Sequence, residues 1–207
     1  MKSGFRLSHL LFLALTSFAL NGCVLKPVSI STRHFVLAPV STNEPASVVA
    51  EPLSIGIGLV KMPAYLLRDS VAVRNGANEI EYLEDAFWAE RLDRSFQQTL
   101  AINLSKLLSS NRIYQTDWGH DQVKVSVYVS VQQFDVDIKG HGTLIAQWRI
   151  NRPDNDTPLK SGQTRLIEAG SSPRGHPEVI AATLSDLTTE FSRELAKAIS
   201  ALAEPKP

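Results

Sequence analysis

The sequence lacks several features that identify common classes of protein. Only one of its 207 residues is cysteine, so no disulfide can form within the chain. Basic and acidic side chains number 21 each, which leaves no excess of positive charge for binding nucleic acid. Hydrophobic residues make up 43% of the chain, too many for an intrinsically disordered protein. These absences leave a globular protein of a length that suits one compact domain.

The sequence also lacks a hydrophobic run long enough to span a membrane. The apolar run from Leu10 to Leu20 has eleven residues, whereas a spanning helix needs about 20. It follows Lys2 and Arg6, as the apolar region of a signal peptide follows its positive start. We therefore expect residues 1–22 to be a cleaved signal. Without them 19 basic and 21 acidic side chains remain, a net charge of −2.

The sequence Leu20-Asn21-Gly22-Cys23 ends the apolar run and resembles the lipobox of bacterial lipoproteins. The resemblance implies that Cys23 receives a diacylglycerol group and an N-acyl chain such as palmitate, which together anchor a protein stably. Residues 23–33 would then form a tether. Because residue 24 is valine and not aspartate, similarity to enteric sorting rules implies the periplasmic face of the outer membrane. The alternative is a soluble secreted protein with one stray thiol.

Alternating apolar residues predict short strands in the first half of the chain. One predicted strand has a bulky face and a nearly bare one, because Gly56 and Gly58 alternate with large apolar residues. The Asn75-Gly76 pair predicts a hairpin between two others. The predicted ranges are His34–Ala38, Leu53–Val60, Ser70–Asn75 and Glu79–Leu83.

Two long amphipathic helices are predicted from apolar residues at helical spacing. The first would be capped by Asp85, with a stripe that starts at Trp88 and continues through Leu92 and Phe96 to Leu107. The second would start near Pro177, a residue suited to a first helical turn. Its stripe consists of Ile180, Leu184, Leu187, Phe191, Leu195, Ile199 and Leu202.

The predicted strand Val123–Lys139 changes phase. Its valines occupy odd positions up to Val131, but Phe134 and Val136 occupy even ones. An alternation of two cannot change phase without an extra residue, so we predict a β-bulge at Gln132-Gln133. Partner strands follow, one with Leu144, Ala146, Trp148 and Ile150 on one face and one over Gly162–Ala169. The sequence thus predicts a single α/β domain over 34–204, with a mixed, largely antiparallel sheet and two long amphipathic helices packed against it.

Patterns typical of enzymes are missing from the sequence. There is no Gly-x-Ser-x-Gly nucleophile motif, and the histidines have no metal-ligand spacing. Asp135 and Asp137 alternate with Phe134 and Val136, which predicts a solvated strand face instead of a metal site. We therefore expect no catalytic residue, no metal and no cofactor apart from the acyl chains on Cys23. The alternative is a hydrolase with a dispersed site, in which Asp135 or Glu168 acts with His141.

Three segments in order carry a family resemblance: Met62-Pro63-Ala64-Tyr65-Leu66, Arg74-Asn75-Gly76-Ala77-Asn78 and Trp88-Ala89-Glu90-Arg91-Leu92. Behind a lipobox, this order resembles the ABC-type transport auxiliary lipoprotein family, the group that includes paraquat-inducible protein C. The resemblance implies a lipoprotein on the outer-membrane side of a system that moves lipids between membranes. Its partner would be a periplasm-spanning protein with mammalian-cell-entry (MCE) domains, and self-association is left open. The alternative is a purely structural envelope scaffold without lipid contact.

The turn after the second predicted strand is nearly all apolar, although loops are normally polar. Either Tyr65 and Leu66 fold back over Trp88 and complete the core, or the turn is an exposed patch that contacts the partner or a lipid. The candidate contact residues are Met62, Pro63, Tyr65, Leu66, Leu67 and Trp88.

Overall fold

The computed structural model describes residues 31–41, 53–116, 118–119, 121–153 and 157–203. The predicted signal peptide and Cys23 lie outside the described residues. Within these ranges the chain forms eight strands, one short 3-10 helix (Ala64–Leu67) and two α-helices. The strands are β1 (Arg33–Phe35), β2 (Ile55–Ile57), β3 (Ser70–Arg74), β4 (Ile80–Trp88), β5 (Ile113–Gln115), β6 (Val125–Asp137), β7 (His141–Asn151) and β8 (Pro158–Ala169), and the helices are α1 (Leu92–Leu107) and α2 (Glu178–Ala203).

The eight strands form one mixed sheet organised around β6. Along one edge β6 pairs antiparallel with β7, which pairs antiparallel with β8. The opposite edge of β6 pairs with two strands. β2 pairs in parallel with the start of β6, and β3 pairs in parallel with its end. β5 continues from β2, and β4 and β1 continue from β3. The long ladders are antiparallel and the parallel ones short, which confirms the predicted α/β fold class.

Both helices pack on one face of this sheet. The Phe96 ring of α1 lies 5.2 Å from the Phe134 ring of β6 and 6.0 Å from the Phe191 ring of α2, measured between centroids. The predicted stripe of α2 is buried from Ile180 to Ile199, as expected for an amphipathic helix on a sheet. No helix in the described part of the chain is long and apolar enough to cross a membrane.

The β6–β7 hairpin contains the predicted bulge. The register between the two strands shifts between Val131 and Gln133, so Gln132 is the extra residue.

At the turn between β6 and β7, Gly140 has φ +97°, and a Cβ there would lie 2.2 Å from the Ser171 carbonyl oxygen. Partial burial opposes ionisation of Asp137, but N–H groups of His141 and Lys139 donate to its carboxylate and hold its pKa below the usual value.

The predicted start of the first helix is wrong. Asp85 and Trp88 lie in β4, and α1 begins at Leu92. The Trp88 N–H donates to the Asp69 carbonyl at 2.7 Å, and Phe35 of β1 pairs with Trp88 in parallel. These partners are distant in sequence, and they hold the residue in a strand although its spacing to Leu92 suits a helix.

Two predicted strands also end earlier than expected. β1 ends at Phe35 because the following N–H groups turn to helix side chains: that of Ala38 donates to Ser185 Oγ at 2.9 Å, and that of Val40 to Asn103 Oδ1 at 2.7 Å. β2 ends at Ile57, and Leu59 does not continue its buried face but is 63% exposed.

Candidate functional site

The apolar turn fills a gap in the sheet between β2 and β3. Lys61 bridges to β6, where its N–H donates to the Val129 carbonyl at 3.1 Å and its carbonyl accepts from the Val131 N–H at 2.8 Å. The 3-10 helix then begins after Pro63, with the Leu66 N–H donating to the Pro63 carbonyl. The turn is therefore fixed to the central strand by backbone hydrogen bonds.

The predicted contact residues occupy two different environments. Leu66 and Trp88 are buried in the main core. Met62, Pro63, Tyr65 and Leu67 are partly buried, and only their outer edges reach solvent beside the exposed Ala64. Cys23 lies outside the described residues. The structure thus brings the six candidates of the turn and β4 into one region, and their role in partner or lipid contact stays a prediction.

A buried ion pair ties this turn to the β3–β4 hairpin and to β6. Asp135, only 2% exposed, accepts from Arg74 Nε at 3.0 Å and Nη2 at 2.6 Å, a bidentate contact. The Tyr65 hydroxyl donates to the same carboxylate at 2.7 Å, and Gln133 Nε2 donates at 2.9 Å. Burial and the hydrogen bond to Asp135 raise the pKa of Tyr65, and the same carboxylate raises the pKa of Arg74.

The prediction of a solvated face at Asp135 is therefore wrong. Alternation does place Asp135 opposite Phe134, but Tyr65 and Arg74 cover that face here. Asp135 joins two of the motifs behind the family resemblance, since Tyr65 belongs to the turn motif and Arg74 to the hairpin motif. We call Asp135 and its three partners, Tyr65, Arg74 and Gln133, the Asp135 cluster. This cluster fixes the turn relative to the sheet.

The same geometry separates the residues of the hydrolase alternative. The His141 ring lies 3.2 Å from Asp137, whereas Asp135 is engaged by Arg74. Glu168 pairs with Gly142, the neighbour of His141, so alternation places the Glu168 and His141 side chains on opposite faces of the sheet. Among the described residues no group of three or more His, Cys, Asp or Glu is placed to hold a metal ion.

A groove lies on the sheet face opposite the helices. It has a volume of about 480 Å³ and runs between the segment after β2 and strands β6 to β8. An adjoining cavity of about 560 Å³ shares Leu59, Lys61, Tyr128 and Arg149 with it and adds Trp118. We call this continuous depression the sheet-face groove; its size is that of small-molecule sites in other proteins.

The sequence pattern does not reveal this groove. Its only local signal is the bare face of Gly56 and Gly58. A Cβ on Gly58 would lie 2.7 Å from the Tyr128 ring, and one on Gly56 would lie 2.6 Å from the Trp118 ring. The two glycines therefore let the Trp118 ring lie directly against β2 and the Tyr128 ring directly against the backbone just after it.

Comparison with known proteins gives a family match and a shared fold. A family model described as an ABC-type transport auxiliary lipoprotein component matches residues 35–196. No curated protein matches the sequence significantly.

Two solved structures have the same fold. One is protein XCC0632 from Xanthomonas campestris, with a TM-score of 0.69 and 13% identity, covering 83% of this chain and 97% of that one. The other is described as an uncharacterized protein, with a TM-score of 0.66 and 19% identity, covering 82% of this chain and 99% of that one. At these identities the likeness concerns the fold.

Proposed function

The chain belongs to the ABC-type transport auxiliary lipoprotein family, and from this premise we propose that it is the outer-membrane-side lipoprotein of an intermembrane lipid transporter. In this proposal it is held at the periplasmic face of the outer membrane by acyl chains on Cys23. It docks a periplasm-spanning partner with MCE domains and so contributes to envelope integrity.

The observation that carries the proposal is the extent of the family match, residues 35–196, behind a lipobox-like sequence at Cys23. This family is a transport auxiliary family and not a known enzyme family. The geometry of the turn is compatible with docking, because the Asp135 cluster and Leu66 fix it to the domain while the edges of Met62, Pro63 and Leu67 reach solvent. A fixed edge loses little conformational freedom when a partner binds.

Site-specific photocrosslinking tests docking at the turn. A benzoylphenylalanine placed at the exposed Ala64 of the full chain is expected to crosslink an MCE-domain protein in cells, identified by mass spectrometry. The matched control carries the same group at Leu159, which is 37% exposed near the start of β8, eight residues along this strand from the position that pairs through β7 with Asp135. Equal crosslinking of the MCE-domain protein from both positions, or from neither, would contradict docking at the turn. A different outcome would favour the structural scaffold: crosslinking from Ala64, together with unchanged phospholipid exchange between the two membranes in a strain that lacks the gene for this protein.

The anchor is tested by Cys23→Ala. This variant is expected to lose acylation, escape cleavage by the lipoprotein signal peptidase and leave the outer-membrane fraction, because no other cysteine is present to carry the acyl chains. Metabolic labelling with palmitate, the gel mobility of the uncleaved precursor and membrane fractionation measure the three effects. Normal processing and unchanged fractionation of the variant would refute the anchor.

A further inference from the structure

We infer that the sheet-face groove binds an anionic glycerophospholipid, with an acyl chain along Leu59 and the aromatic rings and the phosphate between Lys61 and Arg149. This inference deepens the proposed function, on which it rests for the presence of lipid, and adds a site remote from the predicted contact turn. Three properties of the groove support it: its exposed apolar side chains, its positive charge and its preorganised floor.

The apolar part of the groove consists of side chains that a domain of this kind normally buries. Leu59 is 63% exposed and Tyr128 is 37% exposed, although Tyr128 lies on the central strand of the sheet. Trp118 is only partly covered. These three side chains are contiguous along the groove, and contiguous exposed apolar surface marks a binding site more often than isolated residues do.

The polar part of the groove is positively charged. Lys61 and Arg149 both line it and are exposed, and none of its described lining residues is acidic. Neither cation forms an ion pair with a described residue, in contrast to Arg74, which is held by Asp135. Two cations without acidic neighbours complement a phosphate.

The groove is also preorganised. The Arg149 guanidinium lies 4.9 Å from the Tyr128 ring centroid, a cation–π contact that orients it beside the apolar floor. The Tyr128 ring rests against Gly58 and the Trp118 ring against Gly56, so the floor is formed by rings held against backbone. Apolar surface beside two cations, one of them oriented by the Tyr128 ring, is the arrangement that an acidic phospholipid requires and that free phosphate does not.

Photolabelling with defined lipids tests the site. The full-length chain is incorporated into phosphatidylcholine vesicles that contain a small fraction of phosphatidylglycerol with a diazirine in its acyl chain, and labelled peptides are mapped by mass spectrometry. Label is expected on the peptides that carry Leu59 and Tyr128. Lys61→Glu, Arg149→Glu and Leu59→Ser are each expected to reduce it about tenfold, the effect of losing one charge-assisted or apolar contact. These positions are exposed, so the variants keep the fold, and circular dichroism checks this.

Two matched controls lie on the same sheet face outside the groove. Arg165→Glu reverses an exposed charge on β8, and Ile167→Ser removes an exposed apolar side chain there, and both are expected to leave labelling unchanged. Diazirine phosphatidylcholine should label the groove about tenfold less than phosphatidylglycerol, and excess inorganic phosphate should not compete. Labelling that the groove variants do not reduce, that the control variants reduce equally, or that phosphate abolishes would overturn the proposal.

The result is separable from the test of docking. Crosslinking from Ala64 to an MCE-domain protein without groove labelling would overturn the groove and leave the proposed function standing. Groove labelling without that crosslink would overturn docking at the turn and leave the lipid site in the groove standing.

Discussion

Arg74→Met is expected to lower the free energy of unfolding by about 3 kcal/mol, since removing one partner of a buried ion pair leaves the other charge uncompensated. The remaining charge is that of Asp135, whose side chain is 2% exposed and therefore has almost no access to water. The Tyr65 and Gln133 hydrogen bonds persist but do not replace the guanidinium. Urea denaturation at neutral pH measures the loss.

Two further variants make this prediction specific. Asp135→Asn should cost less than Arg74→Met, because the charge it leaves behind belongs to Arg74, whose side chain is 24% exposed and can be hydrated. Arg165→Met removes an exposed arginine from β8 and should change stability by less than about 0.5 kcal/mol. Equal stability of the Arg74 and Arg165 variants would mean that the pair contributes nothing to the fold.

Local pattern was sufficient wherever one element buries one continuous face. The stripe of α2 and the alternation of β7 each predicted which side chains are buried. The bulge at Gln132 was predictable for the same reason, because an alternation of two that must keep its valines and Phe134 on the core side requires one extra residue. These are properties of a single segment and need no knowledge of its neighbours.

The errors arose where a distant segment decides the structure. Trp88 has the spacing of a helix, but β1 and Asp69 hold it in β4. Asp135 lies on the face that alternation assigns, yet Tyr65, 70 residues away, covers it. The 3.6-residue and two-residue periods describe exposure relative to a core and carry no information about a turn that folds over the other face.

The sheet-face groove was hidden for a related reason. Its lining comes from the segment after β2, from strands β6 to β8, and from the segment after β5, so no stretch of sequence contains the site. Leu59 looked like a core residue because it continues the alternation of Ile55 and Ile57. Its exposure became evident only when β2 was found to end at Ile57.

Phe191→Ala is expected to lower the free energy of unfolding as much as any single truncation in the helix layer. The side chain is fully buried on α2, and its ring contacts Phe96 of α1, which in turn contacts Phe134 of β6 edge to face. Truncation removes the apolar burial and leaves a cavity between three elements, which costs about 3–5 kcal/mol. For a chain of this length the loss corresponds to a fall in Tm of about 10 °C, measured by calorimetry.

The size of the replacement side chain provides the control. Phe191→Leu keeps most of the buried volume but loses the ring contact with Phe96, so its cost should be near 1–2 kcal/mol, the range of an aromatic pair plus imperfect packing. Val36→Ala truncates a side chain that is 59% exposed and should leave the melt unchanged. If Phe191→Ala melts with the wild type, the α2 stripe does not hold the helix against the sheet, and its apolar face must be covered in some other way.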